Sequence, residues 1–204
     1  MSTTFEVYPR HATAPSFQAL LERATTRLHA HLAAHGIAAR PVLCVSVRSN
    51  GTHEPLERDL SSPATWGTEQ YAWFYIDEVA GGTDAYCDTL TDDDRECWDD
   101  IVAQHPPAMA QQTKVRACLA TGRYWRFRRS AGQPPIIALA YGILAAALAE
   151  LTDGLIYSDD SAWDYPRFPA RAEDFYRWYF DPEQALGPDY ATWARNNLAA
   201  LRAG

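Results

Sequence analysis

The first forty residues change from a strand pattern to a helix pattern. Residues 4–9, TFEVYP, have the alternating apolar character of a short strand that stops at Pro9. Apolar side chains then recur at helical spacing, at Phe17, Leu20, Leu21, Ala24, Leu28 and Leu32. Ser16 is a suitable N-cap and Gly36 a suitable C-terminal stop. The pattern predicts a strand followed by an amphipathic helix.

The middle of the chain predicts strands separated by one helix. Residues 41–51, PVLCVSVRSNG, and 71–79, YAWFYIDEV, are rich in β-branched and aromatic residues, while 52–70 is polar and predicts a loop. Residues 91–105 begin with Thr and three Asp, which favours a helix N-terminus. Residues 122–132, GRYWRFRRSAG, alternate aromatic and basic residues and predict a strand with one charged face.

The C-terminal half predicts three helices around one short strand. The most apolar window, residues 134–151, is too short, too alanine-rich and too close to Glu150 for a membrane span, so we expect a buried core helix over residues 135–150. GLIYS predicts a strand, and residues 169–180 and 189–204 predict helices. The order β-α-β-β-α-β-α-β-α-α predicts a single α+β domain over residues 1–204, with a mostly antiparallel sheet packed against several helices. A parallel α/β sheet is the alternative, although strict β-α-β alternation is missing.

Composition and charge narrow the classes of partner. The 204 residues carry a formal net charge of −8, which disfavours nucleic acid held by a general positive field and favours a basic protein, or solubility alone. The four cysteines form no C-x-x-C pair, so we expect free, mostly buried thiols. Without a signal segment or a span, we expect a cytoplasmic protein with no membrane partner.

Acidic residues are concentrated in two segments. The first contains Asp92, Asp93, Asp94 and Asp99, and the second contains Asp159, Asp160 and Asp164 beside Trp163 and Tyr165. Three interpretations remain open for these segments: loop capping and solvation, a metal site, or a face that contacts a partner. The second segment lacks the alternate ligands, central Gly and closing Glu of an EF-hand loop.

Other side chains give no sequence motif for catalysis. No nucleophile elbow, phosphate loop or dinucleotide fingerprint occurs, so we assign no catalytic residue, no metal ligand and no cofactor. His31 and His35 share one face of the first predicted helix, and we expect both to be exposed. For the arginines of residues 123–129 we expect pairing with the protein's own acids or a place at a rim, in preference to stacking on bases.

One long segment resembles a known class of protein. Residues 138–180, ALAYGILAAALAELTDGLIYSDDSAWDYPRFPARAEDFYRWYF, combine an apolar helix, Gly-Leu-Ile-Tyr-Ser-Asp-Asp, Trp-Asp and a Pro-led helix ending in Tyr-Phe. This arrangement resembles the small cytosolic immunity proteins of bacterial polymorphic-toxin and type VI secretion systems, with the immunity protein 52 family the nearest. The resemblance covers roughly residues 115–182 and includes no catalytic motif.

The resemblance implies an α+β fold and a function in inhibition. The protein would be no enzyme and would neutralise a cognate, basic toxin, such as a nuclease, by covering its active site. The two acidic segments, with Trp163 and Tyr165, should then lie on one exposed face. The alternatives are a metal-dependent enzyme that uses Asp159, Asp160 and Asp164, and an interaction domain with another partner. Oligomeric state is left open.

Overall fold

The computed structural model describes residues 3–160 and 164–203, and within them the secondary structure is α+β. The strands are β1 (Thr3–Tyr8), β2 (Leu43–Ser49), β3 (Pro55–Leu56), β4 (Gln70–Ile76), β5 (Thr83–Thr89), β6 (Arg123–Arg129) and β7 (Leu155–Tyr157). The helices are α1 (Phe17–Ala34), α2 (Asp92–Gln104), α3 (Pro106–Ala110), α4 (Gln112–Leu119), α5 (Pro135–Leu151), α6 (Ala172–Trp178) and α7 (Pro188–Ala203), with one 3-10 turn at Tyr165–Arg167.

The seven strands form one sheet in the order β3-β2-β4-β5-β6-β1-β7. Every neighbouring pair is antiparallel, so the predicted fold class is confirmed and the parallel alternative is wrong. The first strand of the chain lies between β6 and β7, so β1 pairs with segments more than 110 residues away in the sequence. The outer edge of β7 is closed by a backbone bridge between Ile156 and Ala170.

One face of the sheet is covered by α5, which is buried along almost its whole length. Strand alternation turns Phe5, Phe74 and Phe127 towards this side, and the Phe5 ring stacks on Tyr141 of α5 with centroids 4.6 Å apart. The prediction of a buried core helix over residues 135–150 is confirmed. Among the described residues, no helix is long and apolar enough to cross a membrane.

Helix α1 lies against α5 through its apolar stripe. Ser16 caps it by accepting a hydrogen bond from the backbone N–H of Ala19 at 3.1 Å, as its position in the sequence predicts. At the border of the contact, Arg27 donates to the Glu150 carboxylate at the end of α5. The same face receives α6, where Phe175 and Tyr179 pack edge-on against Phe5.

Four elements of the structure are not predicted by the sequence pattern, and several side chains differ in exposure from the expectation. Strands β3 and β5 and helices α3 and α4 were not expected. His31 and His35, both expected to be exposed, are half-buried. The His31 ring packs between His35 and Phe180, and burial lowers the pKa of His31 to about 4. The expectation of mostly buried thiols is wrong, because Cys118 alone of the four is buried, while Cys44 and Cys87 are half-buried and Cys97 is exposed.

Candidate protein-binding surface

The sheet face opposite α5 is only partly covered. In register across β2, β4, β5 and β6, the side chains of Arg48, Tyr71, Tyr86 and Arg126 form one row. Trp73, Asp84 and Arg128 form the neighbouring row. We call this the open sheet face and define it by the following residues: Arg48, Tyr71, Trp73, Asp84, Tyr86, Asp88, Arg126 and Arg128. It is a polar and aromatic surface because successive residues of a strand point to opposite sides.

Two of the three arginines of this face are paired with acids of β5, whereas Arg48 makes no ion pair within the described residues. The guanidinium group of Arg128 donates to the carboxylate of Asp84, with its Nε 2.8 Å from Oδ2. Arg126 Nε lies 3.2 Å from Oδ2 of Asp88. The expectation that the arginines of β6 pair with the protein's own acids is therefore confirmed for these two. Within each of these two cross-strand pairs the charges neutralise each other, and Arg48 leaves one positive charge on the face.

Aromatic rings fill the space between the charges. The Arg126 guanidinium lies 5.2 Å from the ring centre of Tyr86, and Arg48 lies 5.6 Å from that of Trp73. Tyr71 and Tyr86 stack across the two strands at 6.1 Å. These cation–π and ring contacts hold the long side chains in place without burying them fully.

Helix α2 packs against the same side of the sheet at its β1–β7 end. Its Trp98 ring contacts Tyr8 of β1 at 5.0 Å and Tyr157 of β7 at 4.8 Å. The helix begins with a capping box, in which Thr91 Oγ1 accepts from the N–H of Asp94 at 3.1 Å and Asp94 Oδ2 accepts from the N–H of Thr91 at 2.8 Å. One apolar anchor and one strong cap therefore place the acidic helix beside the open sheet face.

The exposed acids of α2 are not neutralised by the protein itself. The helix carries six carboxylates and one arginine, Arg95, whose guanidinium donates to the backbone carbonyl of Leu119. In the part of the chain that the structure describes, no ion pair includes any of those carboxylates. Asp92, Asp93 and Asp99 are exposed, while Asp94 is half-buried in the cap. The excess of negative charge therefore faces solvent.

Glu6 of β1 joins the two acidic segments. Its carboxylate accepts a hydrogen bond from the Tyr8 hydroxyl at 2.6 Å. Burial raises the pKa of the Glu6 carboxyl, and the negative charges of Asp159 and Asp94 raise it further, against the lowering effects of the Tyr8 hydrogen bond and of Arg126. Asp94 and Asp159 therefore lie close enough to act on one buried group, although 65 residues separate them in the sequence.

The three acids of the second segment have different structural roles. Asp159 is exposed, whereas Asp160 is half-buried and accepts from the backbone N–H of Thr4 at 2.8 Å. Asp164 is 7% exposed and accepts from the backbone N–H of Leu186 at 3.0 Å. The expectation that the whole segment lies on an exposed face therefore does not hold for Asp164, because its carboxylate holds the loop before α7.

Of the two aromatic residues expected in the partner-binding face, only Tyr165 lies in the described part of the chain. Tyr165 is half-buried, and its ring stacks on His105 with centroids 4.6 Å apart. His105 is held in turn by the backbone carbonyl of Phe168 at 2.7 Å. Trp163 lies outside the described residues.

The carboxylates of the second segment do not gather around a shared point. Within residues 3–160 and 164–203, no group of three or more His, Cys, Asp or Glu side chains is arranged to hold a metal ion. Asp160 and Asp164 are each engaged with the backbone of a different segment, at Thr4 and Leu186. Cys97 has an exposed thiol, and partial burial, followed by the charges of Asp100 and Asp159, raises its pKa, which disfavours the reactive thiolate.

Glu6 and the two acids of β5 belong to this surface but are not among the site residues that the sequence predicts. A signal for β5 was present, since residues 83–89, TDAYCDT, alternate Asp84, Tyr86 and Asp88 with smaller or apolar residues. Glu6 carried no comparable signal. A single glutamate in a strand is ordinary, and its significance depends on neighbours brought by distant elements.

The function of this surface has to be inferred from its own residues. No protein-family model, no curated protein and no solved structure matches this chain.

Proposed function

We propose that this protein is a non-enzymatic inhibitor that binds a basic protein through the open sheet face and the acidic helix α2. The observation that carries the proposal is the uncompensated charge of α2, whose carboxylates make no ion pair within the described residues, beside a face on which Arg126 and Arg128 are already paired with acids. An exposed field of one sign attracts a partner of the opposite sign and speeds its association.

The open sheet face supplies the second requirement of a stable complex. Trp, Tyr and Arg side chains contribute most of the binding energy in many protein interfaces, and this face presents Trp73, Tyr86 and Arg126 side by side. Their cation–π and ring contacts limit the rotamers that would have to be ordered on binding. The acids would steer the partner, and the aromatic surface would slow its dissociation.

An acidic helix that steers the partner and an aromatic face that holds it suit a toxin-neutralising function. The resemblance to bacterial immunity proteins points to the same function. A nuclease toxin must present a positive groove to phosphates, and an acidic helix can cover such a groove. In this proposal the protein acts in the cytoplasm, where such a toxin would meet nucleic acid, and it requires no cofactor.

The test is binding to, and rescue from, the toxin candidate encoded next to the gene of this protein. Co-expression should restore growth, and the purified proteins should associate with a rate constant that falls as salt is raised. The triple variant Asp92→Asn, Asp93→Asn and Asp99→Asn should slow association on the order of tenfold. All three positions are exposed on α2, and none of the hydrogen bonds of the capping box is removed.

A matched triple variant controls for net charge. Glu57→Gln, Glu173→Gln and Asp189→Asn remove the same number of exposed charges from other segments, two of them also in the first turn of a helix. This variant should associate almost as fast as the wild type. Equal slowing by the two triple variants, or the absence of any complex with the neighbouring gene product, would contradict the proposal.

A further inference from the structure

Three cationic side chains from distant parts of the chain converge on one groove. Arg10 follows β1, Lys114 belongs to α4 and Arg171 immediately precedes α6, and all three line a cleft of about 330 Å³. In a protein with a net charge of −8, this convergence is opposite to the overall charge balance. The groove is therefore a separate feature from the acidic surface described above.

One carboxylate is shared between two of the three cations. Asp153 accepts from Lys114 Nζ at 2.8 Å through Oδ1 and from Arg10 Nη1 at 2.6 Å through Oδ2. The hydrogen bonds from Lys114 and Arg10 lower the pKa of the Asp153 carboxyl, so it is ionised at neutral pH. Arg171 makes no ion pair within the part of the chain that the structure describes. The groove keeps an excess of positive charge.

The groove also has room beside these charges and neutral donors along its wall. Ala110 and Ala117 line it with small side chains, and Thr113 contributes a hydroxyl group. An adjoining cleft of about 250 Å³ shares Lys114, Asp153 and Arg171, so the two clefts meet at the charged cluster. Lys114 is only 15% exposed, and its partly desolvated ammonium group interacts strongly with any anion that enters.

The adjoining cleft contains two further acids, which limit how far the positive region extends. Glu150 is held by Arg23 and Arg27, so its charge is already balanced. Glu173 is exposed at the outer end. The positive centre is therefore confined to the three cations around Asp153.

We propose that this groove binds a small phosphate-type oxyanion, either free phosphate or the phosphoryl group of a small phosphate monoester. Planar guanidinium groups bind such oxyanions in bidentate fashion, and an ammonium group adds a point charge. The guanidinium group of Arg171, which makes no ion pair within the described residues, can donate two parallel hydrogen bonds to the oxyanion. Lys114 adds a positive charge, and the Thr113 hydroxyl adds a neutral donor. This site is independent of the proposed inhibitor function.

The test is a thermal-shift titration of the full chain with inorganic phosphate and, separately, with glycerol 2-phosphate. Ionic strength is held constant with sodium chloride, because a site filled by ligand raises the midpoint in a saturable way, whereas a general salt effect does not saturate. The variant Arg171→Gln should weaken binding at least tenfold. Arg195→Gln removes an equally exposed arginine from α7 and should leave binding unchanged.

Each outcome bears on the proposal. Saturation by both probes with similar affinity identifies free phosphate as sufficient, and tighter binding of the ester identifies a phosphate monoester as the ligand. Arg171→Lys, which keeps the charge and loses the fork, should bind with intermediate affinity. The absence of a saturable shift with either probe, or equal binding by Arg171→Gln and the wild type, overturns the proposal.

Discussion

The carboxylate of Asp160 accepts a hydrogen bond from the backbone N–H of Thr4 at 2.8 Å, across 156 positions of sequence. Strand β7 pairs with β1 only from Glu6 to Tyr8, so the side chain of Asp160 takes over where the backbone ladder ends. An acidic residue that looks like part of a surface cluster in the sequence therefore completes the edge of the sheet.

We expect Asp160→Ala to lower the free energy of unfolding by about 1–2 kcal/mol, because the N–H of Thr4 loses its partner in a half-buried position. Urea denaturation would measure the change. Asp159→Ala is the matched control, since Asp159 is exposed, and its effect should stay within about 0.5 kcal/mol. Equal losses for both variants would show that the hydrogen bond contributes nothing to stability.

Glu6 should make the protein less stable at neutral pH than a neutral residue would. Its folded-state pKa is raised above the ordinary value of 4.5, chiefly by burial, so the ionised carboxylate is disfavoured in the folded state. The stability contributed by the protonated form is present below pH 4.5 and is lost as the pH rises through the raised pKa. Glu6→Gln, which keeps an acceptor for Tyr8, should therefore be more stable than the wild type at pH 7.

The stability gain of Glu6→Gln should shrink as the pH falls from the raised pKa towards 4.5 and be absent below 4.5, and thermal melts at several pH values would follow it. Asp159→Asn removes one of the charges that act on Glu6 and should give a smaller gain in the same direction. A gain that stays constant from pH 4 to pH 7 would contradict the electrostatic explanation.

His31 should make the protein sensitive to mild acid. Burial, followed by the charge of His35, lowers its pKa from 6.5 to about 4 in the folded state, so the unfolded chain binds the extra proton first. Stability should therefore fall as the pH drops from 6.5 towards 4, by up to roughly 3 kcal/mol. His31→Phe, which cannot titrate, should flatten this part of the profile.

The exposed His11 provides the comparison for His31. His11→Phe makes the same substitution at an exposed position, and denaturant titrations between pH 4 and pH 7 would compare the two variants. If His31→Phe retains the full acid sensitivity of the wild type, the loss of stability originates in other groups.

Gly142 on α5 leaves space for the ring of Tyr179. A Cβ atom at this position would lie 2.3 Å from ring atoms of Tyr179, whose hydroxyl donates to the Ala138 carbonyl in the same buried contact. We expect Gly142→Ala to lower the free energy of unfolding by about 1–3 kcal/mol, because the ring must move. Thermal or urea denaturation would measure this loss.

Gly187→Ala is the control for Gly142→Ala, since no atom lies within 4 Å of a Cβ built at Gly187. Its effect should stay within about 0.5 kcal/mol. Stability of Gly142→Ala equal to that of the wild type would show that the α5–α6 contact can adjust without cost.

The main elements follow from patterns that are local in the sequence. The helical spacing from Phe17 to Leu32 produces α1, and the apolar residues 135–150 can only be buried, which makes α5 the central helix. These predictions succeed because local periodicity determines which face of an element leaves water. Strand β5 was missed because it alternates acids and a tyrosine mostly with small residues and so lacks a large apolar face, and its place in the sheet depends on pairing with β4 and β6.

The sequence by itself determined that this chain folds as an α+β domain with an apolar central helix and an excess of acid in two segments. Only the tertiary structure decided which of those acids are free. In the fold, Asp160 and Asp164 accept hydrogen bonds from backbone N–H groups. Exposed to solvent are Asp92, Asp93, Asp99 and Asp159. The charges of Asp94 and Asp159 both raise the pKa of Glu6. Periodicity is a local property that a sequence displays directly, whereas the pairing of charges depends on distances between elements far apart in the chain.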